Sequence, residues 1–387
     1  MKYQLGDIAE FINGDRGKNY PSQEEISEKG DVPFVNAGLL ENDSIDFTNM
    51  NYISNEKYEM LNSGKFKEND ILYCLRGSLG KKALVKKNEY GAIASSLVII
   101  RPNEKIATGR YLLKALESPG IMKQQAMANN GSSQPNLSAS SVKNYYVTIP
   151  SLPEQIAVTN TLERVSHLFT LRHQQLEKLD LLVKSRFVEM FGDINNTMNY
   201  AGIALGDICN TISGGTPTTK NPDYYKGKIP WISTVSLGPN FINGSNAKGY
   251  ITEEAINNSA THLIPANNIL FGTRVGVGKS SINTEPMCTN QDINAIVDID
   301  ESKFNKLYIK HTLDRYLPYF NSIKKGATIL GITTEDLKRV KIPNAPLSLQ
   351  NQFADFVQRV DKSKFAIKKS LEKLELLKKK LMQDYFG

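Results

Sequence analysis

The sequence predicts an α+β protein built as two repeats, each a β-rich globular domain followed by a long helix. The two helices are expected to pair as an antiparallel coiled coil, which gives the chain pseudo-two-fold symmetry. Three observations predict this fold: the second half of the chain restates the first, prolines mark the end of each mixed stretch, and a heptad pattern fills the rest of each half. With 387 residues, the chain is long enough for two or more domains with separate cores.

The internal repeat is established by four anchors that occur in the same order in both halves. Residues 5–8 return at 205–208, residues 32–35 at 229–232, residues 70–81 at 268–279, and residues 176–192 at 371–387. The offset between the halves drifts only from 200 to 195 residues along the chain. Four matches in one order indicate duplication rather than coincidence.

The anchors and prolines divide the chain into four predicted segments. Globular domains are expected at 1–150 and 193–345, and long helices at 151–192 and 346–387. Pro150, Pro153, Pro343 and Pro346 interrupt regular structure at the transitions. Within the globular segments, short apolar runs such as 97–100 and 293–297 predict strands, and 111–116 and 307–317 predict helices.

The helical segments carry apolar residues at alternating spacings of four and three. The predicted seam positions are Val158, Leu162, Val165, Phe169, Arg172, Leu176, Leu179, Val183, Arg186 and Met190, and then Phe353, Val357, Val360, Lys364, Ile367, Leu371, Leu374, Lys378, Leu381 and Tyr385. A repeat of 3.5 residues over several heptads is the seam of a coiled coil. The alternative is that each helix packs separately on its own domain.

Composition limits the class of protein. Cys74, Cys209 and Cys288 are widely spaced and odd in number, so they predict neither a disulfide framework nor a metal knuckle. The N-terminal residues resemble no secretion signal, which predicts a cytoplasmic protein. The net charge of +7 favours a polyanionic partner.

The helix boundaries carry a resemblance to a known family. Residues 149–157 read Ile-Pro-Ser-Leu-Pro-Glu-Gln-Ile-Ala, and the second half has Ile342-Pro343 followed by Leu-Gln-Asn-Gln at 349–352. The helix ends at 187–192 and 382–387 and the openings at 205–208 and 213–217 also fit. Over its whole length, the chain resembles the specificity subunits of type I restriction-modification systems.

This resemblance implies a function. Each globular domain would be a target-recognition domain that reads one half of a bipartite site in double-stranded DNA. The helices would set the spacing and dock two methyltransferase subunits, and nuclease-translocase subunits would join later. No catalytic residue, metal, cofactor or membrane partner is implied for this chain, since S-adenosylmethionine, Mg²⁺ and ATP would be used by the other subunits. The second helix has Leu349-Gln350 where the first has Glu154-Gln155, which leaves open whether the two docking surfaces are equally strong.

Candidate DNA contacts are predicted in three pairs of loops that combine hydrogen-bond donors, positive charge and flexibility. The first pair is Arg76, Ser78, Lys81 and Lys82 with Arg274, Lys279 and Ser280; the second is Asn130, Ser132, Ser133 and Gln134 with Lys324, Lys325 and Thr328; the third is Arg16 and Lys18 with Thr216, Thr218 and Lys220. The alternative is that these are glycine-rich hairpins and polar turns whose charges are merely solvated.

Catalytic interpretations are weaker. Residues 272–280 resemble a phosphate-binding loop with wrong spacing, and 221–224 resemble a methyltransferase Asn-Pro-Pro-Tyr motif in which Asp223 replaces the second proline. The histidines, His167, His173, His262 and His311, are scattered and predict no metal site. Asp292 with Glu301-Ser302-Lys303 only faintly resembles a nuclease carboxylate cluster, and the first repeat has no equivalent of it. A nuclease or methyltransferase with an unrecognised site remains the alternative function, and a scaffold that binds only proteins is a third.

Overall fold

The computed structural model describes residues 1–128, 136–194, 196–326 and 330–387. The chain divides into two compact units: unit 1 is Met1–His173 with Lys368–Gly387, and unit 2 is Gln174–Ile367. Each unit contains one β-rich region together with parts of both long helices. The division runs through both helices, so the four predicted segments stay a prediction.

Unit 1 contains the first twelve strands and the first five helices. The strands are β1 (Lys2–Gln4), β2 (Ala9–Asn13), β3 (Val32–Val35), β4 (Leu40–Glu41), β5 (Ser44–Ile45), β6 (Tyr52–Ile53), β7 (Lys65–Phe66), β8 (Ile71–Cys74), β9 (Lys82–Leu84), β10 (Gly91–Ile93), β11 (Leu97–Pro102) and β12 (Tyr146–Thr148). The helices are α1 (Leu5–Ile8), α2 (Asn55–Met60), α3 (Gly109–Ala115), α4 (Pro119–Ala128) and α5 (Ala139–Lys143). Helix α6 (Leu152–Phe191) begins in unit 1 and ends in unit 2.

Unit 2 contains the remaining elements except the end of the last helix. Its strands are β13 (Gly192–Asp193), β14 (Thr197–Met198), β15 (Gly202–Ala204), β16 (Asn210–Ser213), β17 (Ile229–Ile232), β18 (Phe241–Ile242), β19 (Gly249–Ile251), β20 (Ile269–Gly272), β21 (Ser280–Asn283), β22 (Cys288–Thr289), β23 (Ile293–Val297) and β24 (Lys341–Pro343). Its helices are α7 (Glu253–Asn257), α8 (Lys306–Arg315), α9 (Leu317–Ile323) and α10 (Thr334–Arg339). Helix α11 (Leu347–Phe386) begins here and ends in unit 1.

The duplication is visible in the sheets. The central sheet of unit 1 has the strand order β2-β11-β8-β9, and that of unit 2 has β16-β23-β20-β21-β18. A second sheet, β6-β3-β10-β7 in unit 1, corresponds to β19-β17-β22 in unit 2. The strand pairs β1-β12 and β15-β24 also correspond. Each described strand of the first repeat's central sheet therefore has its counterpart in the second.

Burial on both faces explains why the central strands read as unbroken apolar runs. In β11, Val98 and Ile100 enter one hydrophobic core and Leu97 and Ile99 enter another. Successive side chains of a strand point to opposite faces of the sheet. A strand that is buried on both faces therefore has apolar residues at every position instead of alternating apolar and polar ones. Strand β20 is arranged in the same way between its two cores.

The long helices pair through the predicted seam. All twenty seam positions are buried or half-buried. In unit 1, Val158 of α6 shares a core with Phe386 of α11. In unit 2, Phe187 of α6 shares a core with Phe353 of α11. The start of each helix thus lies with the end of the other, so the pairing is antiparallel and the predicted architecture is confirmed.

Candidate nucleic-acid interface

Two of the predicted loops leave the same end of the central sheet in unit 1. Asn13, the last residue of β2, pairs with Val98, and Cys74, the last residue of β8, pairs with Leu97 at the start of the antiparallel strand β11. The loops that follow β2 and β8 therefore lie beside the turn that precedes β11.

Hydrogen bonds connect these loops across the turn at 94–96. The guanidinium Nη2 of Arg16 donates to the carbonyl oxygen of Ser95 at 3.4 Å. The N–H of Leu75 donates to the carbonyl oxygen of Ser96 at 2.9 Å. Four of the predicted residues in these two loops are exposed and Lys81 is half-exposed, and we call this set the first sheet-end surface: Arg16, Lys18, Arg76, Ser78 and Lys81.

The hairpin between β8 and β9 is shaped by its glycines. Gly77 and Gly80 both have a φ of +78°, a conformation that glycine adopts without steric cost. The thiol of Cys74 lies 3.0 Å from the carbonyl oxygen of Arg76 and can donate to it. The backbone N–H of Lys81 donates to the carbonyl oxygen of Ser78 at 3.2 Å. The tight turn leaves the side chain of Arg76 exposed to solvent.

Lys82 differs from its neighbours in this hairpin because its charge is paired inside the protein. Its Nζ lies 3.1 Å from Asp43 Oδ1 and 3.7 Å from Glu117 Oε1, and its side chain is only 10% exposed. Burial opposes ionisation of Asp43, but Lys82 and Lys114 beside it hold the pKa of that carboxyl below its usual value. Lys82 is therefore placed to anchor the hairpin, and we leave it out of the sheet-end surface.

Unit 2 repeats this geometry at the equivalent end of its central sheet. Ser213 at the end of β16 pairs with Asn294, and Gly272 at the end of β20 pairs with Ile293 in β23. The hydroxyl of Thr216 is hydrogen-bonded to the side-chain oxygen of Gln291. The N–H of Thr273 donates to the carbonyl oxygen of Asp292 at 2.8 Å. The loops after β16 and β20 thus lie on either side of the turn at 290–292.

The segment that carries Lys324 and Lys325 reaches the same end of unit 2. Lys325 and Gly331 exchange backbone hydrogen bonds of 2.8 and 3.0 Å. The next residue, Ile332, donates its N–H to the carbonyl of Thr273 at 2.8 Å. We call this set of predicted residues the second sheet-end surface: Thr216, Thr218, Lys220, Arg274, Lys279, Lys324 and Lys325.

Not every predicted contact is accessible. Ser280 is 1% exposed, and its hydroxyl donates to Asp314 Oδ1 at 3.0 Å. A buried hydroxyl that is already hydrogen-bonded inside the protein cannot contact a DNA groove, so Ser280 is excluded from the second sheet-end surface. Thr218 is exposed, and its Oγ1 accepts from the N–H of Lys220 at 3.3 Å. Five further predicted contacts lie outside the described residues: Asn130, Ser132, Ser133, Gln134 and Thr328.

Ser95 and Gln291 lie among these loops in the structure but are not among the contacts predicted from the sequence. They occupy the turns before β11 and β23, between the two basic loops of each unit. Gln291 is exposed and presents an amide, which can both donate and accept. The repeat register could have found them, because the turns at 94–96 and 290–292 precede matching apolar runs in the two halves.

The resemblances to catalytic motifs correspond to ordinary structural features. Residues 272–280 join β20 and β21 as a hairpin, whereas a phosphate-binding loop leads from a strand into a helix. At 221–224, the Asn221 side chain accepts from the N–H of Asp223 at 3.2 Å and caps a short 3₁₀ helix. His311 is buried, and burial lowers the pKa of its imidazole to about 3. Within the described ranges, no group of three or more His, Cys, Asp or Glu side chains is arranged to hold a metal ion.

Comparison with known proteins identifies the family. The model of the type I restriction modification DNA specificity domain matches residues 1–181 and, a second time, residues 199–378. The chain belongs to this family. Its members are the specificity subunits of type I restriction-modification systems, which recognise DNA and are not themselves catalysts.

Several curated specificity subunits are similar to this chain. The MjaVIII subunit of Methanocaldococcus jannaschii is 21% identical in a gapped alignment of 413 positions, which covers 98% of this chain and 91% of that protein. The MjaIX subunit of the same organism is 29% identical over 183 residues, 47% of this chain and 42% of that protein. The EcoR124I/EcoR124II subunit of Escherichia coli is 27% identical over 256 residues, 63% of this chain and 62% of that protein.

Two solved structures share the fold. One comes from work on complex assembly and conformational transition of the type I R-M system; its TM-score is 0.67 at 18% identity, with 100% of this chain and 97% of that chain covered. The other is the type I S subunit from M. genitalium, with a TM-score of 0.58 at 16% identity, and the match covers 100% of this chain and 96% of that chain.

In the described parts of this specificity subunit, no helix combines the length and apolar character needed to cross a bilayer.

Proposed function

We propose that this specificity subunit reads a bipartite site in double-stranded DNA, with one half-site contacted by each sheet-end surface. The observation that carries the proposal is the repeated geometry: in each unit, the described loops that follow the first and third strands of the central-sheet order lie at the corresponding end of that unit's central sheet. The recognition domains are proposed to be residues 1–150 and 193–345, and the spacer helices 151–192 and 346–387.

The residue types suit the two tasks of such a surface. Lysines such as Lys81 and Lys279 can neutralise phosphates without regard to sequence. The guanidinium groups of Arg76 and Arg274 can donate two parallel hydrogen bonds to a guanine in the major groove. Gln291 can form the corresponding bidentate contact with an adenine. The lysines would supply affinity, and the arginines and Gln291 would supply specificity.

We further propose that the long helices dock two methyltransferase subunits, and that nuclease-translocase subunits join the complex through them. Exposed leucines support a protein-binding role for α6, since Leu168, Leu171, Leu181 and Leu182 are each 40% exposed or more. S-adenosylmethionine, Mg²⁺ and ATP would then be used by the partner subunits, in the cytoplasm.

The experiment compares the chain alone with the chain plus its methyltransferase partner. The chain alone should bind duplex DNA with an affinity that falls steeply with salt, and it should neither cleave nor methylate DNA in the presence of Mg²⁺ and S-adenosylmethionine. Methyl transfer should require both proteins. Cleavage or methylation by the chain alone would support the enzyme alternative, and no duplex binding at low salt would support a protein-only scaffold.

A further inference from the structure

A buried glutamine ties the first turn of helix α6 to the globular part of unit 1. The side chain of Gln155 is 0% exposed. Its Oε1 accepts from the N–H of Thr108 at 2.9 Å. Its Nε2 donates to the carbonyl oxygens of Ile106 at 2.8 Å and Pro150 at 3.0 Å. One amide therefore joins the helix to the loop before α3 and to the chain that leads out of β12.

Gln350 makes the same three contacts at the start of helix α11 in unit 2. It is also 0% exposed. Its Oε1 accepts from the N–H of Asn305 at 2.9 Å, and its Nε2 donates to the carbonyls of Lys303 at 3.0 Å and Ala345 at 2.8 Å. These backbone groups occupy the matching places before α8 and after β24.

The residue that precedes each glutamine differs between the two repeats. Glu154 accepts hydrogen bonds from the N–H and the hydroxyl of Ser151, at 2.9 and 2.7 Å, and so caps α6. Leu349 occupies its place in α11 and cannot accept. The two helix starts thus differ in their capping but share the buried amide, which indicates that the amide has a task beyond starting a helix.

That task follows from the length of the helices. Helix α6 has 40 residues, which at about 1.5 Å per residue is roughly 60 Å. A tilt of about 5° at its base would displace the far end by roughly 5 Å, more than the ~3.4 Å rise of one base pair. A spacer helix can measure DNA to one base pair only if its first turn is held at a fixed angle to the recognition domain.

We infer that Gln155 and Gln350 are positioning residues that fix each recognition domain relative to the helix that follows it, and so determine how strictly the length between the half-sites is measured. This inference rests on the proposed bipartite reading. Neither glutamine is expected to touch DNA or to alter which bases are read.

The test measures methyl transfer by the full complex on duplexes that carry the native half-sites at the native spacing or with one base pair added or removed. Gln155→Met keeps the side-chain length but loses all three hydrogen bonds, and Gln155→Asn keeps the amide on a side chain too short to bridge them. Gln350→Met and the double variant complete the set. Thr159→Val is the matched control, because the Thr159 hydroxyl is buried on the same helix, but its hydrogen bonds to described residues go only to the α6 carbonyls of Gln155 and Ile156, at 2.9 and 3.1 Å.

In Gln155→Met, the ratio of off-length to native-length methylation should rise by about tenfold, the factor that corresponds to roughly 1.4 kcal/mol. The half-site bases should be unchanged, and Thr159→Val should keep the wild-type ratio. An unchanged ratio in Gln155→Asn and Gln350→Met, with activity lowered equally at every spacing, would overturn the inference and leave these residues with a role in folding only. If the wild-type complex methylates no bipartite site at all, the proposed function fails first, so the two failures are distinguishable.

Discussion

Arg76 and Arg274 occupy equivalent places, two residues after the ends of β8 and β20. Both are exposed, and each is followed by a glycine-containing turn and a lysine, Lys81 or Lys279. An arginine can fork onto one base edge, whereas a lysine acts as a point charge. The two residue types at this surface should therefore fail in different ways when they are removed.

Replacing Lys81 or Lys279 with alanine should weaken binding to all DNA sequences alike and lower the salt slope by about 1. Replacing Arg76 or Arg274 with alanine should cost roughly 1 to 3 kcal/mol and relax one position of one half-site. Binding titrations over a salt series with a library of half-site variants measure both effects. Lys86→Ala, which removes an exposed charge beyond the far end of β9, is the control. Uniform losses from the arginine variants would contradict base reading.

His311 makes the folded chain sensitive to acid. Burial, together with the positive charges of Lys310, Arg315 and Lys364 and opposed in part by Asp314, lowers the pKa of its imidazole from 6.5 to about 3. Above pH 6.5 the ring is neutral in both the folded and the unfolded chain, so it adds no pH dependence. Below that pH the unfolded chain takes up a proton that the folded chain excludes, and the free energy of unfolding falls as pH drops.

Between pH 7 and pH 5, the wild type should lose about 2 kcal/mol more stability than His311→Leu, since each pH unit below the unfolded pKa costs about 1.4 kcal/mol. Urea unfolding at the two pH values measures the difference. At pH 7 the variant should be close to the wild type, because the Nε2 atom of His311 is buried with no partner among the described residues. Parallel pH profiles for the two proteins would show that His311 is not held neutral.

At the scale of elements, the ends of the long helices anchor each unit. The ring centroid of Phe191, at the end of α6, lies 4.6 Å from the ring centroid of Tyr308 and 5.6 Å from that of Phe353. Phe386 at the end of α11 lies 5.2 Å from Tyr111. Among the described residues, Phe191 thus has two aromatic partners on other helices of unit 2 besides Phe187 on its own helix, whereas Phe386 has one, which predicts anchors of unequal strength.

Phe191→Ala should cost about 3 to 5 kcal/mol of unfolding free energy, because it opens a cavity in a fully buried cluster. Phe386→Ala should cost less, since it is 8% exposed and has the smaller aromatic neighbourhood. Denaturant unfolding measures both, with the exposed Asp384→Ala as the control. A loss for Phe191→Ala no larger than that of the control would contradict this account of the helix ends.

The sequence predicted elements well where the signal was local. The seam could be predicted because a 3.5-residue repeat is a property of residues close together in the sequence. In the structure, all its positions are buried or half-buried. The partners of Lys82 and Ser280 were not readable, because Asp43, Glu117 and Asp314 are 34 or more residues away along the chain. Loop chemistry alone could not distinguish a lysine aimed at solvent from one paired inside the fold.

In the whole molecule, the helices are proposed to set the distance between the half-sites, and the globular domains are proposed to read the bases. Helices α6 and α11 have 40 residues each and pair through one seam. The sheet-end loops lie in the globular parts of the chain and contain no residue of either helix. Spacing and half-site sequence should therefore change independently.

Inserting four residues near Arg172 in α6 and four near Lys364 in α11 should lengthen the paired helices by about 6 Å. At ~3.4 Å per base pair, this predicts a spacer nearly two base pairs longer with unchanged half-sites. Four residues are close to one helical turn, so the seam should stay near its register with only local unwinding. Methylation mapping of the variant with its partner checks this, and the original spacing would show that the helices do not measure distance.

We propose that one chain reads two separate half-sites and directs a partner's chemistry to them. The most direct test is a methylation map of DNA from a host that carries this subunit with its methyltransferase partner, compared with the same host carrying Arg274→Ala. We expect a bipartite motif with an unread spacer in the wild type, and relaxed bases in one half only in the variant. A continuous motif, or a variant map altered in both halves, would contradict it.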